Sequence, residues 1–254
     1  MNQQTLAAYI EQEKQRRHRR GVFVNAVNLE GIMLTDLSLA TVSPAASKKF
    51  MLSCWAYCST TVAGDSNIMS YNNTSSAERL HIQIRADGKV RATVRNAANT
   101  LIARGVSAAG VAVTGFWTHI LWSVDTTTGV ERNQLWVNNI DAQASPVLVA
   151  DGEIEGGLDE GLINSAQEEM WVSELWLDLE NSLDLDVQWN RRRFTNTRGK
   201  PVDLGPKGEH PLGVAPFAYY PNPAATAHED ESGNANDLAA TGGTPSLATT
   251  SPFR

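Results

Sequence analysis

A chain of 254 residues, 42% hydrophobic and 19% charged, has the composition of a globular protein rather than a disordered one, and its length suits one large domain or two small ones. Its formal charge of -7 excludes a body built to wrap nucleic acid, because neutralising phosphates takes a basic face. That charge is uneven: residues 1–21 carry Lys14, Arg16, Arg17, Arg19 and Arg20 against Glu11 and Glu13, a local +3 that leaves -10 for the remainder.

The opening "TLAAYIEQEKQRRHRRG" predicts a helix with Thr5 as N-cap, acids early, bases late and Gly21 as its stop. Its apolar stripe, Leu6, Tyr9 and Ile10, is short, so the helix gains little from packing alone and is expected to dock on a partner or to stand as a solvated helix end. It has no apolar h-region, and no secretory signal is expected.

From Val22 to about Leu179 the period changes to two. In "FMLSCWAYC", Phe50, Leu52, Cys54, Ala56 and Cys58 share one face. The two cysteines then lie about 13 Å apart at about 3.3 Å per residue, too far to bridge, and are expected as two small buried thiols suited to a reducing compartment. "RLHIQIRADGKVRATVR" predicts a hairpin turning at Asp87-Gly88, with Leu80, Ile82, Ile84, Val90, Ala92 and Val94 inward. Its other face is cationic, with His81, Arg85, Lys89, Arg91 and Arg95. It is expected either as a solvated outer face or as a contact for an anionic glycan or an acidic neighbouring subunit. The uncharged run from Gly105 to Val124 has the length of a membrane span, but its three glycines and His119 predict a loop, a turn and a buried strand. "WTHILWSVDTTTGVERNQLWVNNIDA" supplies a pair of strands and "EMWVSELWLDLE" one more. Short strands joined by turn signals, without βαβ alternation, predict an all-β antiparallel sandwich.

"NSLDLDVQWNRRRFTNTRG" predicts a short helix after the last strand, with Asp184 and Asp186 in its first turn, Arg191 to Arg193 in its last, and Leu185 stacked on Trp189. Eight of the ten prolines fall in the last 56 residues, so residues 199–254 are expected as an extended Pro-rich arm, neither helix nor central strand, lying on the chain's own domain or on a neighbour.

Chemistry-bearing groups are sparse. Asp151, Glu153 and Glu155 alternate, so on a strand their carboxylates share a face, as the paired acids of a glycosidase or the oxygen ligands of a structural calcium ion require. The flanking glycines favour a solvated loop instead. The histidines are scattered without metal-ligand spacing, and "HEDESGNAND" does not match an EF-hand. No cofactor and no enzymatic activity are expected. Trp122 and Trp136 fall on regular alternation and are expected in or against the sheets, whereas Trp117, just after Gly115, and Trp171, at a strand start, are the tryptophans placed for a ligand at the rim.

The order "FMLSCWAYCS", "RLHIQIRADGKV", "WTHILWSVDTTTG" with "LWVNNIDA", then "VSELWLDL" resembles the concanavalin A-like, laminin G-like jelly-roll pattern, with Asn139 at the family's turn glycine. The ending "RRRFTNTRGKPVDLGPKGEHPLGVAPFAYY" resembles that of concanavalin A-like virion structural proteins of tailed bacteriophages. The resemblance implies a two-sheet jelly roll over residues 22–198 between a basic arm, 1–21, and the extension, 199–254. It implies a non-enzymatic structural component of a virion, in head decoration, neck or tail, assembled in the bacterial cytoplasm. Anchoring would come from the two extensions, with other virion proteins and further copies of the chain as partners through Lys14, Arg16, Arg17, Arg19 and Arg20, and with no membrane and no specific nucleic acid. The alternative is a receptor- or glycan-binding appendage used on host surface glycans, for which Trp117, Trp171, Arg85, Arg91 and Arg95 are the candidate contacts.

Overall fold

The computed structural model describes residues 27–28, 37–39, 46–58, 64–72, 78–154, 160–163, 170–221, 229–240 and 246–247. The helix expected over residues 1–21, with its five bases, lies outside them, as does Glu155.

Two antiparallel sheets make up the described chain. Sheet one runs, in spatial order, β10 (Ile140–Asp141), β9 (Arg132–Val137), β8 (Trp117–Asp125), β3 (Lys49–Cys58), β13 (Met170–Asp178), β1 (Val27–Asn28) and β16 (Ser246–Leu247), with β14 (Ala218–Tyr220) also on β13. Sheet two runs β11 (Val147–Leu148), β7 (Leu101–Val106), β6 (Val90–Arg95), β5 (Glu78–Ile84), β4 (Ser66–Asn72), β12 (Glu160–Ile163), β2 (Leu37–Leu39) and β15 (Leu238–Ala240). Between the sheets lies one core. It takes Phe50, Leu52, Cys54 and Ala56 from β3, Ile120, Trp122 and Val124 from β8, and Ile82, Val90, Ala92 and Val94 from the β5–β6 hairpin. Trp122 is fully buried, its ring 5.0 Å from Phe50 and its indole N–H donated to Asn133 Oδ1 at 2.8 Å. Both cysteines are free and buried, and burial pushes the Cys54 thiol up to about 12.

The alternation of β13 breaks once. Between Ser173 and Trp176 its register with β3 shifts, so that Val172 and Leu175, three apart, both face the core. Two residues oppose one there, which is a β-bulge. At the bulge Glu174 takes φ +51 with its carboxylate buried, accepting a 2.9 Å hydrogen bond from the Tyr219 hydroxyl. The bulge also marks a change of edge partner. Val172 pairs with β1, while Leu175 to Leu177 pair with β14.

Sheet one is buried on its outer face as well, which period two did not show. Met51, Leu121, Trp176 and Tyr219 lie there beneath Leu185, Phe194 and Leu204. The cover is residues 183–212, so the described part of the Pro-rich segment packs on its own sandwich, and its later strands β14, β15 and β16 enter the sheets. It is part of the domain and leaves no free arm over residues 199–221. Its prolines recur every fifth residue, at Pro201, Pro206, Pro211, Pro216 and Pro221, and hold the chain off regular structure as it crosses the strands. The expected helix contracts to one turn, α1 (Gln188–Arg191). Asp184 and Asp186 precede it, Leu185 is buried in the cover, and Trp189, 71% exposed, does not stack on Leu185. Gln134 and Asp184 instead fix the approach, with Gln134 Oε1 accepting from Leu185 N at 2.7 Å and Asp184 Oδ1 from the Gln134 amide at 3.1 Å.

The β5–β6 hairpin turns at Asp87-Gly88 with Gly88 at φ +70. Its outer face, expected either as a solvated surface or as a contact for an anionic glycan or an acidic subunit, is in part buried within the chain, while Arg91 and Arg95 stay half-exposed. His81, Gln83 and Thr93 are buried, because β5 is an inner strand whose polar side chains meet those of β4, His81 bonding to Asn67. Arg85 and Lys89 are half-buried and paired with Asp65 and Asp87.

The cover is locked where Trp176 Nε1 donates to the Gly208 carbonyl at 2.8 Å. Gly208 has φ +72, and a Cβ there would lie 2.8 Å from Tyr219 Cγ and 3.1 Å from Trp176 Cδ1. Gly208→Ala is therefore expected to destabilise by about 2–5 kcal/mol, from left-handed backbone strain plus overpacking. Gly213→Ala, at φ +81 with open space around it, should cost about 1–2 kcal/mol. Urea denaturation midpoints of the two variants check the difference, and equal losses would mean that the contact with Trp176 and Tyr219 is not tight.

Candidate functional site

Alternation that sends Cys54, Ala56 and Cys58 inward sends Trp55 and Tyr57 outward on β3, Trp117 and His119 outward on β8, and Trp171 and Ser173 outward on β13. Register then assembles them. Tyr57 lies opposite Trp117 on one side and Trp171 on the other, and Trp55 opposite His119 and Ser173. The first row is an aromatic ladder across three strands, with Tyr57 5.5 Å from Trp117 and stacked at 4.6 Å on Trp171. In the second row Trp55 and His119 are 4.7 Å apart. Cross-strand aromatic pairs of this kind stabilise a sheet by roughly 0.5–1.5 kcal/mol each.

Trp55, Tyr57, Trp117 and His119 of these rows floor a half-open cleft of about 460 Å³. One wall is the loop before β8, where Gly115 at φ +79 donates its N–H to Cys58 O and Phe116 stands 68% exposed. The opposite wall is the tight turn 195–200. Asn196 closes it, its Oδ1 accepting from Arg198 N and Lys200 N and its N–H reaching Lys200 O, while Gly199 turns at φ +68 and Thr195 bridges Pro201. Asn138 closes one end, in a two-residue turn with Asn139 between β9 and β10, both left-handed at φ +51 and +62. Its Oδ1 accepts the His119 N–H at 2.9 Å.

The cleft's electrostatics are unusual in one respect. Burial drives the His119 imidazole down to about 3, so the ring is neutral, sharing a 3.0 Å hydrogen bond between Nε2 and Ser53 Oγ. Three residues beyond Trp171, Glu174 moves the opposite way. Burial raises it to about 8 against the Tyr219 hydroxyl bond that lowers it, and the Asp203 charge adds to the rise.

Of the sequence-derived candidates, Trp117 lies in this cleft, half-buried. Trp171 is 7% exposed, covered by Tyr57 rather than standing at a rim, because strands flank it on both sides. Arg85, Arg91 and Arg95 belong to the hairpin of sheet two and do not converge on Trp117; Arg85 pairs with Asp65, and Arg95 donates to Asn99 O. Trp136 is roofed by the Arg191 guanidinium, 3.7 Å above its ring. Asp151 sits in an exposed turn bonded to Lys48 at 2.5 Å, and Glu153 is exposed beside it; their segment is a loop, not a strand. No group of three or more His, Cys, Asp or Glu among the described residues is placed to hold a metal ion. In "HEDESGNAND", buried Asp230 accepts from Tyr219 N, Ser232 N, Ser232 Oγ and Asn236 N, organising the loop against β14. Trp55, Tyr57, Phe116, Asn138, Arg198 and Lys200 were not singled out by sequence. For Trp55 and Tyr57 the signal was present, as aromatics alternating against the cysteines.

No protein-family model matches the chain, and no curated protein matches it. Among solved structures it is similar to a protein of Bacteroides ovatus ATCC 8483 described as a "putative carbohydrate binding protein", at 9% identity and a TM-score of 0.57, over 89% of this chain and 61% of that one. The chain thus spans about three fifths of that protein's length. Partial overlaps at a TM-score of 0.42 and 12% identity occur with the receptor binding domain of botulinum neurotoxin mosaic serotype C/D, over 55% of this chain and 35% of that one. The binding domain of botulinum neurotoxin DC in complex with SialylT overlaps at the same score and identity, over 59% and 37%. The first likeness shows the fold: an all-β, two-sheet sandwich.

Two buried groups set an opposed pH dependence. The unfolded chain protonates position 119 below about 6.5, but the folded chain does so only near 3, so stability is lost as pH falls through that window. The unfolded chain releases the Glu174 proton above about 4.5, the folded chain only near 8, so stability is lost as pH rises through that range. Glu174→Gln keeps an acceptor for Tyr219 and removes the second slope. Relative to wild type, the variant should gain stability steadily from pH 4.5 to 8, by up to about 1.4 kcal/mol per unit. Denaturation midpoints across that range check it, and a pH-independent difference would show that Glu174 is ionised in the fold.

Proposed function

We propose that this chain is a non-enzymatic saccharide-binding module built on a jelly-roll sandwich, and that its site is the cleft over Trp55, Tyr57 and Trp117. The carrying observation is the half-buried Trp117 ring, braced by Tyr57, on the floor of an open cleft edged by Asn138, Arg198 and Lys200. Sugars present an apolar C–H face and a polar rim, and bind where a fixed aromatic surface meets a few polar groups. A fold shared with a protein described as carbohydrate-binding agrees with this reading.

The ending "RRRFTNTRGKPVDLGPKGEHPLGVAPFAYY" supports a setting for the module, a bacteriophage virion assembled in bacterial cytoplasm. There it would be presented to host surface glycans as part of the particle. Because residues 199–212 of the Pro-rich segment are occupied in covering sheet one, we assign contact with other virion proteins to Lys14, Arg16, Arg17, Arg19 and Arg20.

On a glycan array the whole chain should bind saturably, and Trp117→Ala should weaken its best ligand about tenfold, near 1.4 kcal/mol, with its thermal midpoint showing a folded protein. Arg91→Ala, on the other sheet, should leave affinity unchanged. An array without saturable binding removes the reading, and loss on Arg91→Ala instead of Trp117→Ala moves the site to sheet two.

A further inference from the structure

The loop between β7 and β8, residues 107–116, crosses one end of the sandwich and is tied to both sheets. Towards sheet two, Gly110 N–H donates to Asp87 O and Ala112 N–H to Gly88 O, both at 3.0 Å. Towards sheet one, Gly115 N–H donates to Cys58 O at 2.8 Å. The hairpin turn packs so closely on the loop that a Cβ at Gly88 would meet Ala112 O and Gly110 Cα at 3.0 Å. The loop is therefore held in place before any ligand arrives.

Loop and hairpin turn frame a half-open recess of about 370 Å³, a volume in the range of small-ligand sites. Its buried lining is Ala56, Cys58, Ile84 and Thr118, and its exposed lining includes Val113 and Phe116. The charged side chains on it, Arg85 and Asp87, are paired with Asp65 and Lys89. Two large apolar side chains thus stand exposed within four residues, beside an apolar hollow that would gain from a cover. A bare sugar suits this hollow poorly, since its hydroxyls would lose water for methyl groups, a thiol and a ring.

Phe116 also lines the saccharide cleft. Trp117 and Thr118, consecutive on β8, line the cleft and the recess respectively. The two hollows lie on opposite faces of one strand end and meet at the Phe116 ring. Resting on the saccharide reading, we infer that the ligand is an amphiphilic glycan, a sugar lying on Trp117 whose acyl or alkyl substituent passes over Phe116 into the recess. The shared ring commits the recess to a substituent of the cleft's own ligand.

The test is calorimetric titration of the whole chain with methyl and hexyl glycosides of glucose, galactose, mannose and N-acetylglucosamine, below micelle-forming concentrations. At least one hexyl glycoside should bind about tenfold or more tighter than its methyl partner, as burial of the added methylenes requires. Val113→Asp, a charge on an exposed residue at the recess, should cut that ratio about threefold or more and leave methyl-glycoside affinity unchanged. Val130→Asp, the same change on the exposed turn between β8 and β9, should do neither. Equal affinity within every pair, no binding by any hexyl glycoside, or a ratio indifferent to Val113→Asp overturns the inference, while the glycan array decides the saccharide reading separately. Hexanol alone binding as tightly as the hexyl glycosides overturns it by uncoupling recess from sugar. So does a dimer that Val113→Asp splits, since a second copy of the chain would then fill the recess.

Discussion

A sheet with large apolar side chains on both faces cannot be satisfied by one partner layer. In β13 every residue from Met170 to Asp178 is buried, and the inner face accounts for only half of them. Trp176 carries the remainder: fully buried on the outer face, it needs both an apolar roof and an acceptor for its indole N–H. The Gly208 carbonyl and the Phe194 ring, edge-on at 5.2 Å, provide the two. The path of residues 183–212 over sheet one follows from that need. So does the cleft, because its wall at the turn 195–200 belongs to the same covering segment.

The bulge in β13 lets two different strands use one edge. A straight strand would keep Glu174 in phase with Val172 and Leu175 out of phase, directing a carboxylate at the core and turning an apolar residue away from it. The extra residue resets the phase, and its left-handed backbone is stabilised by the pairings on either side. Burial beside Tyr219 pushes Glu174 toward its protonated form. The strand that completes the edge, β14, therefore abuts a group whose ionisation the fold opposes.

Much of the sandwich was legible in the sequence, since period two is a direct record of which side chains face the core. Phe50, Leu52 and Cys54, the β5–β6 hairpin and the burial of Trp122 all follow from it. What period two does not record is a third layer. It left the outer face of the hairpin to solvent or to a partner, so His81 was counted with a cationic outer surface and Trp171 with the rim. It also left unread that Trp55 and Tyr57 sit opposite Trp117 and Trp171, because register between distant strands is set by the whole sheet. The Pro-rich segment was recognised as extended, but composition alone does not say on what an extended chain lies. Arg198 and Lys200 reach the cleft through that segment's path, and no local pattern announced them.

The turn 195–200 has a second role beyond walling the cleft. It is continuous with Phe194 and Leu204, which roof Trp176 and Met51. Any ligand gripped by that turn is thus linked to the closed form of the cover, and must raise the free energy of peeling it from the sheet in proportion to the logarithm of its concentration over its dissociation constant. Conversely, every excursion of the cover away from sheet one erases a wall of the cleft. Occupancy and local opening are mutually exclusive, so protection of backbone amides in residues 194–204 from hydrogen exchange is a direct gauge of how much of the time the cleft exists.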